Sequence, residues 1–286
     1  MGLDIGTTGT KAVIFDEEGE ILSQSYREYT LLQPNPGWLE LDPAQVWESV
    51  QTVIREAVKG NKGSPVKAMA TSALGEAVTP IDKDGNPLYN TIIAMDIRAI
   101  PQSEWLGEKI GKKRLFEITG MPLHPMYSIN KILWFKENMP DVYKSTWKFL
   151  CWEDLFSLRL GLRPVIDYSL ASRTMVFDII KKRWSEEIME VAGLEDKQFA
   201  EVRPSGYVIG EIPKKIAEPL GLEPEVVVAT GGFDQPCAAL GAGAVREGMA
   251  VVGTGTVECA TPALNKPILN DRMLAGKLPL CLSRQG

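Results

Sequence analysis

Short apolar runs separated by turn residues dominate the first hundred residues. The opening stretch, GLDIGTTGTKAVIFDEEGE, predicts two strands joined by a tight turn of glycine and threonine at residues 6–10. After a second turn at residues 16–19, apolar and polar residues alternate over 21–30, which is typical of a third strand. Short strands are also predicted over 66–73 and 90–96. The N-terminal part is therefore expected to build a sheet.

A well-delimited helix is predicted over residues 43–60. Asp42 stands where a helix cap is preferred, Pro43 suits the first helical position, and Gln45 lies three residues after the cap. Valine, isoleucine and alanine residues then recur at the 3.6-residue period, and Gly60 stops the pattern.

The middle of the chain has a more helical pattern. Helices are predicted over 128–138, 154–161 and 185–194. A strand pattern returns over 225–232, and a helix of small residues is predicted directly after it, over 234–245. Strand and helix patterns thus both occur in this part of the chain.

The segment at residues 248–264 repeats the pattern of the opening: an apolar strand, a Gly-Thr-Gly-Thr turn and a second strand. Such a repeat indicates an internally duplicated architecture. We place a domain boundary near residue 247, so that residues 1–247 form a first domain and 248–286 begin a second. About forty residues are too few for a copy of the first domain, and the chain is expected to be truncated.

Composition and charge exclude several classes of function. A net charge of −6 disfavours a surface for nucleic acid or anionic membranes, which both require clustered Lys and Arg. No apolar run is long enough to span a bilayer. The four cysteines lack CxxC spacing, so a reducing cytoplasm is the expected location. Because His124 is the only histidine, acid–base chemistry is expected to rely on carboxylates.

The opening turn has the composition of an anion site. Glycine lets the backbone N–H groups approach an anion, the hydroxyls of Thr7 and Thr8 add donors, and Lys11 adds a positive charge. An aspartate beside a polyphosphate requires a cation between them, so Asp4 makes sense as a Mg²⁺ ligand, directly or through water. The alternative, a plain hairpin with a solvated aspartate, stays open on this pattern alone.

Asp234 is the second candidate carboxylate. It follows a predicted strand and two glycines, and it opens a predicted helix. A carboxylate at that place can cap the helix, or it can act as a general base during phosphoryl transfer. Spacing alone does not separate these alternatives.

Seven motifs in fixed order resemble the FGGY carbohydrate kinase family: GLDIGTTGTKAVIFDEEG, PGWLELDP, MDIRA, SINKILWFKENMPDVY, DYSLASRTMVFD, GGFDQPCAALGAGAVREG and VVGTGTVECAT. The first motif alone is shared in outline with the wider actin, Hsp70 and hexokinase superfamily, whereas the set is specific. The resemblance implies an α/β, RNase H-like domain with helical insertions and a second RNase H-like domain, incomplete here. ATP and sugar would meet in the cleft between them.

The resemblance also implies roles for individual residues. Asp4 is similar to the aspartate associated with Mg²⁺, and Asp234 to the catalytic base. The two phosphate motifs would comprise Thr7, Thr8 and Lys11 in the first and Gly255 and Thr256 in the second.

The resemblance places the sugar pocket on other segments. Glu76, Asp96, Arg98 and Met126 would line it together with Asp234. Gly75 and Ala94 depart from the family pattern, because glycerol kinases have arginine at the first position, and both glycerol and xylulose kinases have tryptophan at the second. These smaller residues are expected to leave room for a larger sugar or polyol.

The preferred interpretation is ATP-dependent phosphorylation of a sugar, ketose or polyol hydroxyl, with ATP and Mg²⁺ as cofactors. The expected partner is a small-molecule substrate, without nucleic acid or membrane, and homodimerisation is left open. One alternative is a catalytically incomplete sugar-binding fragment or sensor, because the adenosine site belongs to the half that the resemblance places outside this chain. A chaperone-like or actin-like ATPase is the other, and the sugar-pocket motifs weigh against it.

Overall fold

A six-stranded sheet organises the fold in the computed structural model, which describes residues 1–254 and 259–282. The strands in chain order are β1 (Gly2–Ile5), β2 (Gly9–Phe15), β3 (Ile21–Glu28), β4 (Leu31–Leu32), β5 (Glu40–Leu41), β6 (Ala68–Ala73), β7 (Thr79–Ile81), β8 (Thr91–Ile92), β9 (Lys148–Leu150), β10 (Val165–Asp167), β11 (Phe177–Asp178), β12 (Arg183–Trp184), β13 (Glu201–Arg203), β14 (Val208–Glu211), β15 (Val227–Phe233), β16 (Ala250–Gly253) and β17 (Cys259–Pro262).

Helices surround this sheet and fill the connections between its strands. They are α1 (Pro43–Gly60), α2 (Ile100–Ile110), α3 (Lys112–Thr119), α4 (Ser128–Asn138), α5 (Pro140–Ser145), α6 (Trp152–Arg159), α7 (Tyr168–Ser172), α8 (Glu186–Ala192), α9 (Lys214–Ala217), α10 (Asp234–Gly241) and α11 (Asp271–Ala275). Short 3₁₀ turns occur at Asp196–Gln198 and Glu218–Leu220. None of the helices in the described ranges is both long and apolar enough to cross a membrane.

The main sheet combines antiparallel and parallel pairing in the order β14-β15-β6-β1-β2-β3. Strands β1, β2 and β3 form an antiparallel meander, as the opening pattern predicted. Strand β6 then lies parallel to β1, and β15 lies parallel to β6. This arrangement confirms the predicted α/β, RNase H-like class.

Helix α1 has the predicted bounds. The Asp42 carboxylate accepts a hydrogen bond of 2.8 Å from the Ala44 N–H, and Pro43 occupies the first turn. Its apolar face is fully buried and packs against β2 and β3. Amphipathic spacing was therefore a sufficient guide here, because the helix has one core-facing stripe and one solvated face.

Two other elements are shorter than predicted. The strand expected over 90–96 is limited to β8, because the chain turns directly after it, with the Asp96 N–H donating to the Ile93 carbonyl at 3.2 Å. The helix expected over 234–245 ends at Gly241, two residues before Gly243 adopts a positive φ of 86°. In both cases the apolar pattern continued beyond the point where a local turn ended the element.

The repeated segment near the C-terminus forms the predicted pair of strands. Strands β16 and β17 are antiparallel, with Gly253 opposite Cys259. The predicted turn residues Gly255 and Thr256 lie outside the described ranges. The domain boundary near residue 247 stays a prediction.

Strand β15 contains an irregularity next to the site described below. Its register against β6 shifts between Ala229 and Gly232. At Gly231 a Cβ atom would lie 2.1 Å from the carbonyl oxygen of Thr71, which is backbone and has little freedom to move. The close approach of β15 and β6 therefore requires glycine at this position.

We expect Gly231→Ala to lower the free energy of unfolding by about 1–3 kcal/mol, the usual cost of forcing a methyl group into a packed site. The matched control is Gly241→Ala, since a Cβ at Gly241 meets no atom within 4 Å and alanine is favoured in helices. Urea unfolding of both variants is the measurement. Equal stability of the two variants would contradict the packing argument.

Candidate active site

The carboxyl ends of three adjacent parallel strands meet at one edge of the sheet. The register pairs Asp4 of β1 with Ser72 of β6, and Ser72 with Gly232 of β15. Two residues beyond Gly232, Asp234 begins helix α10. Ligands of open α/β sheets bind at this end of the strands, so the sheet itself brings the two candidate aspartates to one place.

The Asp4 carboxylate lies at this edge, where the residue is exposed, and it has one hydrogen-bond partner among the residues that the structure describes. The Ser72 hydroxyl donates a hydrogen bond of 2.9 Å to Oδ1 of Asp4, and Lys11 lies opposite Asp4 on β2. Partial removal from water raises the pKa of Asp4, while Ser72 and Lys11 act in the opposite direction. Because partial burial disfavours the ionised form of Asp4, a nearby cation would stabilise that form.

The turn between β1 and β2 is held from several sides. The Gly6 N–H donates to the Gly9 carbonyl at 2.9 Å, and the Tyr29 hydroxyl donates to the carbonyls of both glycines. The Tyr29 N–H also donates to the Thr8 carbonyl at 3.2 Å. Thr7 and Thr8 therefore stand at the tip of a fixed turn, and Thr8 is exposed. Residues of the first predicted phosphate motif are thus adjacent to Asp4.

Asp234 is the first residue of α10, and Phe233 occupies the cap position. Within residues 1–254 and 259–282, no group forms a hydrogen bond with its buried Oδ1 atom. Burial raises the pKa of Asp234 to about 6, and the charges of Asp4 and Glu76 contribute in the same direction. A partnerless carboxylate oxygen with a near-neutral pKa suits a general base better than a helix cap.

Glu76 lies beside Asp234 in a strained conformation. It is buried and has φ of 59°, in the left-handed region that disfavours residues with a side chain. Nε of Arg173 donates to its carboxylate at 2.5 Å, and Nη2 of Arg173 also pairs with it. A second cation, Lys131, donates to the Glu76 carbonyl at 2.8 Å. Two basic side chains thus hold the residue in this conformation.

Lys131 also connects Glu76 with the loop that precedes α4. Its ammonium group, fully buried, donates to the Met126 carbonyl at 2.6 Å. Burial lowers the pKa of Lys131 to about 8. Lys131 therefore links the backbone of Glu76 to that of Met126, and their place in the sugar pocket stays a prediction.

The expected space at Gly75 is occupied. A Cβ atom at Gly75 would lie 2.6 Å from the ring of Phe233. The Arg173 guanidinium lies over the same ring, 4.8 Å from its centre. The expectation that Gly75 leaves room for a larger sugar is therefore wrong, because an aromatic side chain from β15 fills the space. Room beside Ala94 stays a prediction.

Asp96 and Arg98 lie in a buried ion-pair network. Nη2 of Arg98 donates to Oδ2 of Asp96 and to Oε1 of Glu40, both at 2.7 Å. Oδ2 of Asp96 also accepts the N–H of Leu39 at 2.6 Å, and the guanidinium stacks on the Trp38 ring at 3.9 Å. Both carboxylate oxygens of Asp96 are thus engaged. Of the Arg98 guanidinium nitrogens, the buried Nη1 has no hydrogen-bond partner in the described part of the chain.

Sequence reasoning missed two residues of this site, Arg173 and Lys131. Lys131 could have been noticed, because it lies four residues before the buried Phe135 and therefore on the same face of α4. Arg173 gave no local indication, since its partner Glu76 is 97 residues away. The second phosphate motif, Gly255 and Thr256, is outside the described residues.

Asp234→Asn should stabilise the fold at pH 7.5 and have little effect at pH 4. The folded-state pKa of Asp234, about 6, lies above the ordinary value of 3.8, so stability is lost as pH rises between these two values, and the full cost is present above pH 6. At pH 4 most of this cost is absent, because the folded state is protonated and the unfolded state is about half protonated. We expect a melting temperature higher by roughly 3 °C at pH 7.5.

Thermal unfolding at both pH values is the measurement, with the exposed Asp84→Asn as control. A gain of equal size at pH 4, or a loss at pH 7.5, would contradict the electrostatic account of Asp234.

The known proteins that resemble this chain belong to one family of kinases. The model for the N-terminal domain of the FGGY family of carbohydrate kinases matches residues 1–241. Glycerol kinase 2 of Thermotoga maritima is 33% identical over 270 residues, which are 89% of this chain and 53% of that protein. A xylulose kinase of Haemophilus influenzae is 29% identical over 281 residues, or 94% of this chain and 57% of that protein. The chain thus spans about half the length of the curated relatives that it matches.

Solved structures agree with the fold. A gluconate kinase from Lactobacillus acidophilus has a TM-score of 0.85 at 24% identity, covering 91% of this chain and 52% of that one. A xyloylose kinase from Brucella ovis has a TM-score of 0.80 at 28% identity, covering 89% and 52%. With 241 matched residues and the RNase H-like sheet, the chain belongs to the FGGY family of carbohydrate kinases.

Proposed function

We propose that this chain is the acceptor-binding half of an ATP-dependent kinase that phosphorylates a hydroxyl of a sugar, ketose or polyol. The observation that carries the proposal is Asp234, whose buried Oδ1 has no partner in the described ranges and whose pKa is about 6. Family membership supports the same chemistry. The activity of the whole protein rests on this proposal.

The reaction assigned to Asp234 is removal of the acceptor proton. The acceptor hydroxyl would donate a hydrogen bond to Oδ1, and its proton would pass to the carboxylate as the oxygen bonds to the γ-phosphorus. The bond between that phosphorus and the bridging oxygen of ATP would break in the same step, with ADP as the leaving group. Asp234 must be ionised to accept the proton, so the pKa of about 6 favours reaction above that pH. The proton then returns to solvent after the phosphorylated product leaves.

The residues at the sheet edge fit a Mg²⁺ ion that relies mainly on water and phosphate. Mg²⁺ in kinases uses one or two carboxylates and keeps several waters. In the part of the chain that the structure describes, no three acidic, histidine or cysteine side chains converge on one metal position. Asp4, with its raised pKa, would hold the ion, which would neutralise charge on the β- and γ-phosphates.

The nucleotide phosphates would bind at the turn between β1 and β2. Thr7 and Thr8 stand at its tip, and Lys11 follows on β2. Gly255 and Thr256 are proposed as the second phosphate motif. The adenosine part of ATP would depend on the half of the relatives' length that this chain does not match.

The charges of the pocket favour an uncharged acceptor. Three carboxylates, those of Asp4, Glu76 and Asp234, interact electrostatically at the site. The cations of the site already have partners: Arg173 pairs with the Glu76 carboxylate, Lys131 donates to the Glu76 and Met126 carbonyls, and Lys11 lies opposite Asp4. A sugar acid would therefore be repelled more than a ketose or polyol of the same size.

Calorimetric titration of this chain should detect a neutral polyol or ketose, and weaker or no binding of the matching aldonic acid. Asp234→Asn should weaken the binding by no more than about tenfold, since it replaces one hydrogen-bond acceptor of several. Asp84→Asn is the control. Tighter binding of the sugar acid would contradict the charge argument.

Phosphoryl transfer can be tested by replacing the matched half of the Thermotoga maritima relative with this chain. A coupled ADP assay should give sugar-dependent turnover, and Asp234→Asn should reduce kcat by 10²–10⁴-fold, on the order expected for loss of a general base. Near-normal turnover of the variant would refute the role of Asp234.

The same two assays separate the competing functions. Sugar binding by the chain would favour a sugar-binding module or sensor if the chimera gives no phosphoryl transfer while the unaltered Thermotoga maritima relative is active in the same assay. Phosphate release that sugar does not stimulate would favour an ATPase.

A further inference from the structure

A buried polar network lies directly behind the turn that presents Asp234. Its members are Glu153 of α6, Asp167 at the end of β10 and Ser169 of α7, each at most 2% exposed. None of the roles assigned above uses these side chains. All three nevertheless contact the backbone that leads into α10.

Glu153 joins two strands through one carboxyl group. Its Oε1 atom accepts the N–H of Gly231 at 2.8 Å, and its Oε2 atom accepts the N–H of Asp167, also at 2.8 Å. Gly231 lies within the register shift of β15, where regular pairing with β6 is interrupted. A carboxyl group thus supplies the acceptor for a backbone donor at the irregularity.

Ser169 makes a second connection, one residue before the candidate base. Its hydroxyl oxygen accepts the N–H of Phe233 at 2.8 Å and donates to Asp167. Asp167 is fixed in turn by the N–H groups of Ser169 and Leu170, which it caps at the start of α7. The hydrogen bonds therefore continue without interruption from α7 to the residue that precedes Asp234.

The geometry leaves the turn little freedom on this side. A Cβ atom at Gly232 would lie 2.6 Å from the Ser169 hydroxyl oxygen and 3.1 Å from an Asp167 carboxylate oxygen. Three consecutive residues, Gly231 to Phe233, thus contact the network through hydrogen bonds or close packing. The Oδ1 atom of Asp234 itself has no hydrogen-bond partner among the residues placed by the structure.

We propose that Glu153, acting with Asp167 and Ser169, is a positioning residue that fixes the orientation of Asp234 for the proposed phosphoryl transfer. The catalytic part of this inference rests on the proposed function, but the effect of the network on Asp234 can be measured without any substrate. Glu153 does not touch the acceptor; it acts through the backbone of Gly231.

The test compares Glu153→Gln with Asp154→Asn, using the whole chain without added metal. An amide offers one acceptor oxygen in place of two, so Glu153→Gln loses one of the two backbone bonds. Asp154 is the matched control, because it is the next residue of α6, is 1% exposed, and interacts with the backbone at the start of its own helix. The readout is the pKa of Asp234, measured by ¹³C NMR of aspartate-labelled chain and assigned with Asp234→Asn.

We expect Glu153→Gln to lower the pKa of Asp234 by about 0.5 or more, because a relaxed turn admits water to the carboxylate. Asp154→Asn should leave it unchanged. If Glu153→Gln does not fold, Ser169→Ala, which removes the acceptor for the Phe233 N–H, should give the same shift. A folded Glu153→Gln or Ser169→Ala chain with an unaltered Asp234 titration would overturn the proposal, and so would an equal shift in Asp154→Asn.

Polyol binding by the same samples separates this inference from the proposed function. A shifted Asp234 pKa in a chain that binds no polyol would support the positioning network and refute the acceptor site. An unchanged Asp234 pKa in a Glu153→Gln chain that still binds polyol would refute the positioning role of Glu153 and leave the proposed acceptor site intact.

Discussion

The parallel pairing of β1, β6 and β15 is the constraint on which the site depends. Hydrogen bonding along these strands fixes Asp4, Ser72 and Gly232 in one row, and chain continuity then places Asp234 at the same edge. The aspartates come from residues 230 positions apart, so only the sheet can hold them near each other. The register of β15 shifts between Ala229 and Gly232, where Gly231 lies in close contact with β6, and pairing resumes at Gly232 and Phe233 before α10 begins.

Placing several carboxylates close together at a partly buried edge of the sheet costs electrostatic free energy, and this cost falls on more than one residue. Asp4 and Asp234 both have raised pKa values, which means that ionisation destabilises the folded chain. Glu76 is compensated directly by Arg173, although its backbone adopts a left-handed conformation. Such local strain and charge repulsion are typical of catalytic sites, where function and stability have opposite requirements. A cation and a phosphate group would relieve the repulsion at Asp4.

Local pattern was enough to predict features whose cause is local. Helix α1 has its predicted bounds because cap, proline and apolar period coincide in one segment, and the β1–β2 turn follows from glycine and threonine spacing. Contacts between distant segments were beyond such reasoning. Phe233 fills the space at Gly75 across two strands, and Glu153 accepts the Gly231 N–H from 78 residues away. Their geometry depends on how helices pack around the sheet, which the order of motifs along the chain does not contain.

Mapping of amide chemical shifts during titration with a neutral polyol or ketose tests the central claim most directly. The account predicts that the perturbed amides cluster at the carboxyl edge of the sheet, around Asp4, Glu76 and Asp234. A surface groove of about 530 Å³ lined by Lys148 and Trp184, among others, provides the internal comparison, since it contains none of these residues. Perturbations confined to that groove, with unchanged amides at the sheet edge, would contradict the assignment of the acceptor site.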